Sequence, residues 1–129
     1  MSEFSDALNV SASGLKAQAQ RMRIISENVA NVDTPGFKRK TISFESNLSI
    51  DGAPLVETGP VRFDSRDGQR IYDPSHPMAD PSGNYTGSNV DLVLEIADAR
   101  EAQRSYDANL KMFDQVRQMS SSLIELLRK

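Results

Sequence analysis

The sequence predicts a mainly α chain with a small β-rich middle. Two long terminal helices pack as a coiled-coil-like helical hairpin, joined by an irregular segment with β-hairpins. Three observations predict this class. Apolar residues recur at helical spacing over residues 3–32 and again over 89–128. All six prolines, and every glycine except Gly14, fall between those stretches. Within the middle, short runs alternate apolar and polar residues and are bounded by turn residues.

The first helix carries two heptad rows. One, from Met1, reads Met1, Leu8, Leu15, Met22 and Val29; the other reads Phe4, Ser11, Gln18, Ile25 and Val32. The first row is apolar throughout, and the second is interrupted by Ser11 and Gln18. Small residues cluster near the middle, with Gly14 among them. A helix-interior glycine costs about 1 kcal/mol relative to alanine, which is explained if another backbone must approach closely there. Phe4, Leu8, Ser11, Gly14, Leu15, Met22, Ile25 and Val29 are therefore the candidate packing face of this helix.

Residues 28–40, NVANVDTPGFKRK, end it. Asn31 or Asp33 can occupy the helix terminus, and Pro35 with Gly36 turns the chain out. Phe37 then offers an apolar anchor. Pro35→Ala is expected to extend the helix and to harm assembly more than monomer solubility. The basic triplet Lys38, Arg39 and Lys40 is too short and isolated for a nucleic-acid patch. It reads as a solvated turn exit or as salt bridges with the acidic middle or a neighbouring subunit.

In the middle, Ile42 and Phe44, then Val61 and Phe63, alternate with polar residues. Asp67-Gly68 between Val61–Arg66 and Gln69–Asp73 predicts a hairpin, and Asp51-Gly52 is a second such dipeptide. Residues 73–88 read as a polar loop. Ser88 with Asp91 has capping-box spacing for the second helix. Its predicted stripe is Leu92, Ile96, Ala99, Ala102, Tyr106, Leu110, Phe113, Val116, Leu123 and Leu127, with Asp107–Lys111 paired on the far side.

Composition limits what the chain can be. It has 129 residues, 38% of them hydrophobic, and a mean hydropathy of −0.48. The middle has too few large apolar side chains for a robust core of its own. Such a chain is expected to be marginal alone, with terminal helices largely disordered in dilute solution, and to gain stability when its seams meet other subunits. Net charge is −3, divided as +2 over residues 1–40, −4 over 41–88 and −1 over 89–129. That balance gives no reason to expect a nucleic-acid partner. There is no cysteine, so thiolate chemistry is excluded. No secretory signal pattern is present, and no apolar run approaches bilayer length.

Catalytic constellations are weak. His76, the one histidine, lies near Asp73 and Asp80 but lacks a second imidazole for a metal. Asp91, Glu95 and Asp98 share a helical face and read as a solvated first turn, favoured by the helix dipole. Serines 120–122 lack a base partner. No glycine-rich phosphate loop occurs, so neither a cofactor nor a small-molecule substrate is expected.

Asn28-Val-Ala30-Asn31 followed by Thr34-Pro35-Gly36-Phe37-Lys38 resembles the signature shared by bacterial flagellar rod and hook proteins. Ser11-Ala-Ser-Gly14-Leu15 is similar to that family's first helix, and Ala102-Gln-Arg-Ser-Tyr106-Asp-Ala-Asn109-Leu110 to its second. The short chain, and His76-Pro-Met-Ala-Asp80 with Gly83, Tyr85 and Asn89-Val90, resemble a proximal rod member. Ser88 departs from the proline usual there, and Leu94-Glu95-Ile96 from a Glu-Glu-Met-like run.

The resemblance implies a structural subunit without an active site, polymerising through its terminal helices into the axial drive shaft that transmits torque. Residues 1–33 and 89–129 would form a discontinuous inner domain, and 34–88 the outer rod part. Partners would be copies of itself and FlgB-like and FlgF-like neighbours. Export would run through the flagellar type III apparatus, without a cleaved signal peptide, to the rod in the periplasm. The alternative is a soluble helical-hairpin adaptor that binds a partner helix.

Overall fold

The structure is a computed structural model and describes residues 2–128. Met1, the first position of the heptad row, lies outside them. Helix α1 spans Ser2–Ala30 and α2 spans Leu92–Leu127. Between them run β1 (Lys40–Thr41), β2 (Phe44–Leu48), β3 (Pro54–Thr58), β4 (Arg62–Phe63), β5 (Arg70–Tyr72) and β6 (Asn84–Thr86).

The helices are antiparallel neighbours. Gly14 faces Asn109, Arg21 faces Asp98 and Glu101, and Asn28 faces Glu95. At 1.5 Å per residue α1 is about 43 Å long and α2 about 54 Å. Carrying that register forward, the start of α1 stands level with about residue 120, so the last turns of α2 run past it. Gly14 stands where the helices cross: a Cβ there would sit 2.8 Å from Asn109 Nδ2, so the Asn109 side chain would have to shift.

The strands form three separate antiparallel ribbons, β1 with β4, β2 with β3, and β5 with β6. The β2–β3 ribbon pairs Phe44 with Thr58 through Leu48 with Pro54. Gly52, at φ 83°, supplies its turn, where Gly52 N donates to Ser49 O at 2.9 Å. This ribbon lies along α1: Val56 N donates to Ser13 Oγ at 3.1 Å. The hydrophobic core is small, consisting of Ala17, Ile24 and Ile25 on α1, Ala102 on α2 and Ala53 in the turn of the β2–β3 ribbon.

Several expectations are corrected. Asp67-Gly68 is not a hairpin turn, because β4 before it pairs with β1 and β5 after it pairs with β6. The 73–88 stretch is not wholly loop: β6 lies within it and closes a hairpin on β5. Both helices are shorter than their periodic patterns. Alternation and turn chemistry mark where strands occur; partners depend on contacts far along the chain, which no local signal encodes.

Ser88 does not cap α2. Asp91 is the N-cap, its side chain accepting from Val93 N at 3.0 Å, while Ser88 Oγ donates to Val32 O. Asp107 is met by Gln103 Nε2 at 3.1 Å instead of by Lys111.

Candidate assembly face and its polar joint

The two heptad rows of α1 have different fates. Of the polar-interrupted row, Ser11 and Ile25 are buried, alongside Gly14, Ala17, Ile24 and Asn28. Phe4 and Gln18 are half-buried, and Gln18 Oε1 is enclosed with no hydrogen-bond partner among the described residues. In the apolar row, Leu8, Leu15 and Met22 stay half-buried and Val29 is exposed.

Helix α2 divides the same way. Its buried residues are Glu95 and Ala102. Ala99, Tyr106, Asn109, Phe113 and Val116 are half-buried. Leu92, Ile96, Leu110, Leu123 and Leu127 are exposed, by between 41% (Leu110, Leu123) and 77% (Leu127).

Leu123 and Leu127 stand within about 20° of Asp98 round α2, but the other exposed positions lie together. The ribbons sit on the side of α1 that carries Ser13 and Ala17, and on the side of α2 that carries Asp98. The helical period places Leu15 and Met22 roughly 140–180° round α1 from Ser13 and Ala17. It places Leu92 and Ile96 roughly 120–160° round α2 from Asp98. The hairpin therefore has a ribbon-covered flank and an uncovered apolar flank of Leu8, Leu15, Met22, Val29, Leu92, Ile96 and Leu110.

At the base of the hairpin the chain leaves α1 through turns over 31–36. Asn31 Nδ2 donates back to Glu27 O at 2.8 Å, and Thr34 Oγ1 to Asn31 Oδ1 at 3.1 Å. Half-buried Pro35 precedes Gly36, whose φ of 73° lets the chain reverse. Gly36 N then donates to Thr86 O at 3.1 Å, and half-buried Phe37 O accepts from Asn89 N at 3.2 Å. Of the motif read as a turn, Asn28 and Ala30 are still helical. Asn28 is buried: its Nδ2 donates to Lys40 O and its Oδ1 accepts from Lys40 N, each at 2.9 Å.

The basic triplet pairs inside the chain, so a solvated exit does not describe it. Lys38 Nζ reaches Asp67 at 3.1 Å, the one pair made with the acidic middle. Lys40 Nζ meets Glu27 at 2.9 Å. That hydrogen bond, with the charge of Lys40 behind it, holds the Glu27 carboxyl below its usual range. Arg39 Nε pairs with Glu95, and its Nη2 lies 2.9 Å from Asp98.

Glu95 overturns the reading of a solvated acidic face: it has 0% exposure. Asp91, at the N-cap, is the exposed member of that trio. Carboxylates near a helix start normally serve the dipole, and that local pattern hides the buried role of Glu95. A signal existed, since Glu95, Ala102, Asn109 and Val116 recur every seven residues and mark the face turned toward α1. Asn89 was also overlooked as a linchpin; its Nδ2 donates to Asp64 O at 3.0 Å and Arg66 O at 2.8 Å.

Among the described residues, no three His, Asp or Glu side chains gather as a metal site. His76 stacks on Tyr85 with ring centroids 3.9 Å apart, and its Nδ1 accepts from Met78 N at 3.0 Å. Arg70 Nη2 lies 2.9 Å from Asp80. The Asp80 carboxyl is held low, chiefly by the backbone N–H of Asn84. No helix among the described residues is long and apolar enough to cross a membrane.

Residues 8–38 match the family model described as flagella basal body rod protein, and residues 82–126 match that of the flagellar basal body rod FlgEFG protein C-terminal region. The chain is 42% identical to the flagellar basal-body rod protein FlgC of Agrobacterium fabrum, over 99% of this chain and 98% of that one. It is 35% identical to FlgC of Aquifex aeolicus, covering 97% and 98%. With FlgC of Bacillus subtilis it shares 31%, covering 93% and 95%.

Proposed function

The chain belongs to the flagellar basal-body rod protein family, and from that premise we propose how its two flanks build the rod. It is a structural subunit of the flagellar basal-body rod. Its partners are other basal-body components. The discontinuous domain of residues 1–33 and 89–129 packs inward, and residues 34–88 form the outer part. Subunits associate through the uncovered apolar flank, with copies of the chain and with FlgB-like and FlgF-like neighbours. The chain reaches the periplasmic rod through the type III apparatus, and its role is mechanical, with no catalytic step.

The observation that carries this reading is the uncovered flank. Leu92, Ile96 and Leu110 are more than a third exposed on one helix. Leu8, Leu15 and Met22 are only partly covered on the other. A contiguous apolar face of this kind marks an interaction surface. The protein's own core is too small to offset the cost of ordering two long helices.

A density map of basal bodies carrying this chain tests the reading. The expected result is Leu15, Met22, Ile96 and Leu110 enclosed by neighbouring subunits, with the ribbons on the rod's outer side. If those four side chains face solvent, the assignment of flanks is wrong.

A further inference from the structure

We propose that Arg39 is a positioning residue of the rod subunit: as counter-ion to buried Glu95, it makes placement of the outer segment conditional on closure of both terminal helices. This rests on the rod reading above and assigns a task to the basic triplet that the apolar flank leaves unexplained.

The argument starts from Glu95. Its side chain has no solvent exposure, and an ionised carboxylate at that depth is costly unless paired and hydrogen-bonded. Both requirements are met from other elements. Arg39, from the segment leaving α1, supplies the charge through Nε. Asn28, from α1, turns its Nδ2 toward both carboxylate oxygens at 3.4 Å. Asn28 also holds the backbone of Lys40 through its N–H and its carbonyl. The same amide therefore grips the outgoing strand and faces the carboxylate.

The surrounding charges are matched. Arg39 Nη2 meets Asp98, and Arg21 on α1 meets Asp98 at 3.3 Å and Glu101 at 3.4 Å. Lys40 is engaged by Glu27. Asp91, one turn before Glu95, faces solvent at the N-cap. Among the described residues, Arg39 is the cation paired with Glu95. Its planar fork reaches two carboxylates one helical turn apart, which a lysine point charge cannot reproduce.

Three elements must arrive together. With α1 open, Glu95 loses Asn28. With the outgoing segment displaced, it loses Arg39. Either leaves a desolvated group short of a partner, so the polar network closes as a unit. In the rod, the same network is the stiff connection between the inner helices and the outer segment.

Basal bodies isolated from a strain whose only copy is the full-length chain, unsubstituted or varied, test this. Arg39→Gln leaves Glu95 buried without a cation, and protonation relieves that cost. The retained amount of this variant is expected to rise roughly threefold or more as wash pH is lowered from about 8 to about 5. The unsubstituted chain is expected to hold steady across that window. Arg39→Lys should be retained less well than the unsubstituted chain at neutral pH.

A flat profile for Arg39→Gln, matching the unsubstituted chain, overturns the proposal. If Arg39→Gln is absent from basal bodies, the double variant Arg39→Met/Glu95→Leu decides. Its presence in normal amounts, with no pH dependence, identifies the unpaired carboxylate as the defect; its absence overturns the proposal. Failure of the unsubstituted chain to appear in basal bodies would instead break the rod reading.

Discussion

The two heptad rows of α1 are equally regular, and the less apolar one is the more buried. Ser11 and Ile25 are buried, while Leu8, Leu15, Met22 and Val29 are left partly uncovered. A self-sufficient globule would cover its best apolar row first, because burial gains about 25 cal/mol per Å² of apolar surface. Here the chain packs its small and polar row inward, where Gly14 admits Asn109. The fuller row stays on the outside, and α2 repeats this with Leu92, Ile96 and Leu110. On the proposed reading, the inner row sets the register of the subunit and the outer row supplies the contacts of the rod.

The largest expected effect is on the outer row. Met22→Glu places a charge where neighbouring subunits close, and should reduce incorporation into basal bodies by roughly tenfold or more. The circular dichroism of the free chain should change little, since Met22 is only half-buried there. Normal swimming of this variant would show that the outer row faces water.

The inner row should respond oppositely. Ile25→Ala removes buried methyl groups from the hairpin core and is expected to cost about 2–4 kcal/mol. Trypsin should then cut more readily at Arg21 and Arg23 in isolated basal bodies, while the surviving rods keep their subunit contacts. A milder case is Gly14→Val, which crowds the helix crossing at an expected cost of about 1–3 kcal/mol. Asn109→Ala should recover much of it in the double variant, because the side chain obstructing the new methyl groups is gone. Equal protease resistance of the single and double variants would separate Gly14 from that contact.

The smallest effect lies outside both rows. The hydrogen-bonded Arg66 guanidinium holds the half-buried Asp64 carboxyl down at about 2. The folded value is below the unfolded one near ~3.9, so the pair's contribution is complete above that value and fades as pH falls through about 2. Amide-exchange protection over residues 62–66, relative to the intrinsic rate at each pH, should be flat above about pH 4 and fall only below it. A change beginning near neutral pH would point to another group.

Sequence determined the local features. Helical periodicity over two long stretches, the proline and glycine that turn the chain at 35–36, and the Asp51-Gly52 turn each depend on a few neighbouring residues. The family motif was legible for the same reason, as contiguous residue strings. Tertiary structure decided everything that joins distant positions. It chose which of two equivalent rows is covered, and it gave β4 and β5 separate partners although Asp67-Gly68 lies between them. It also converted Arg39 and Glu95, 56 residues apart, into a part-buried pair. The physical reason is range: backbone propensity acts within a turn or two, whereas burial and charge pairing are set by whichever surfaces the folded chain brings together.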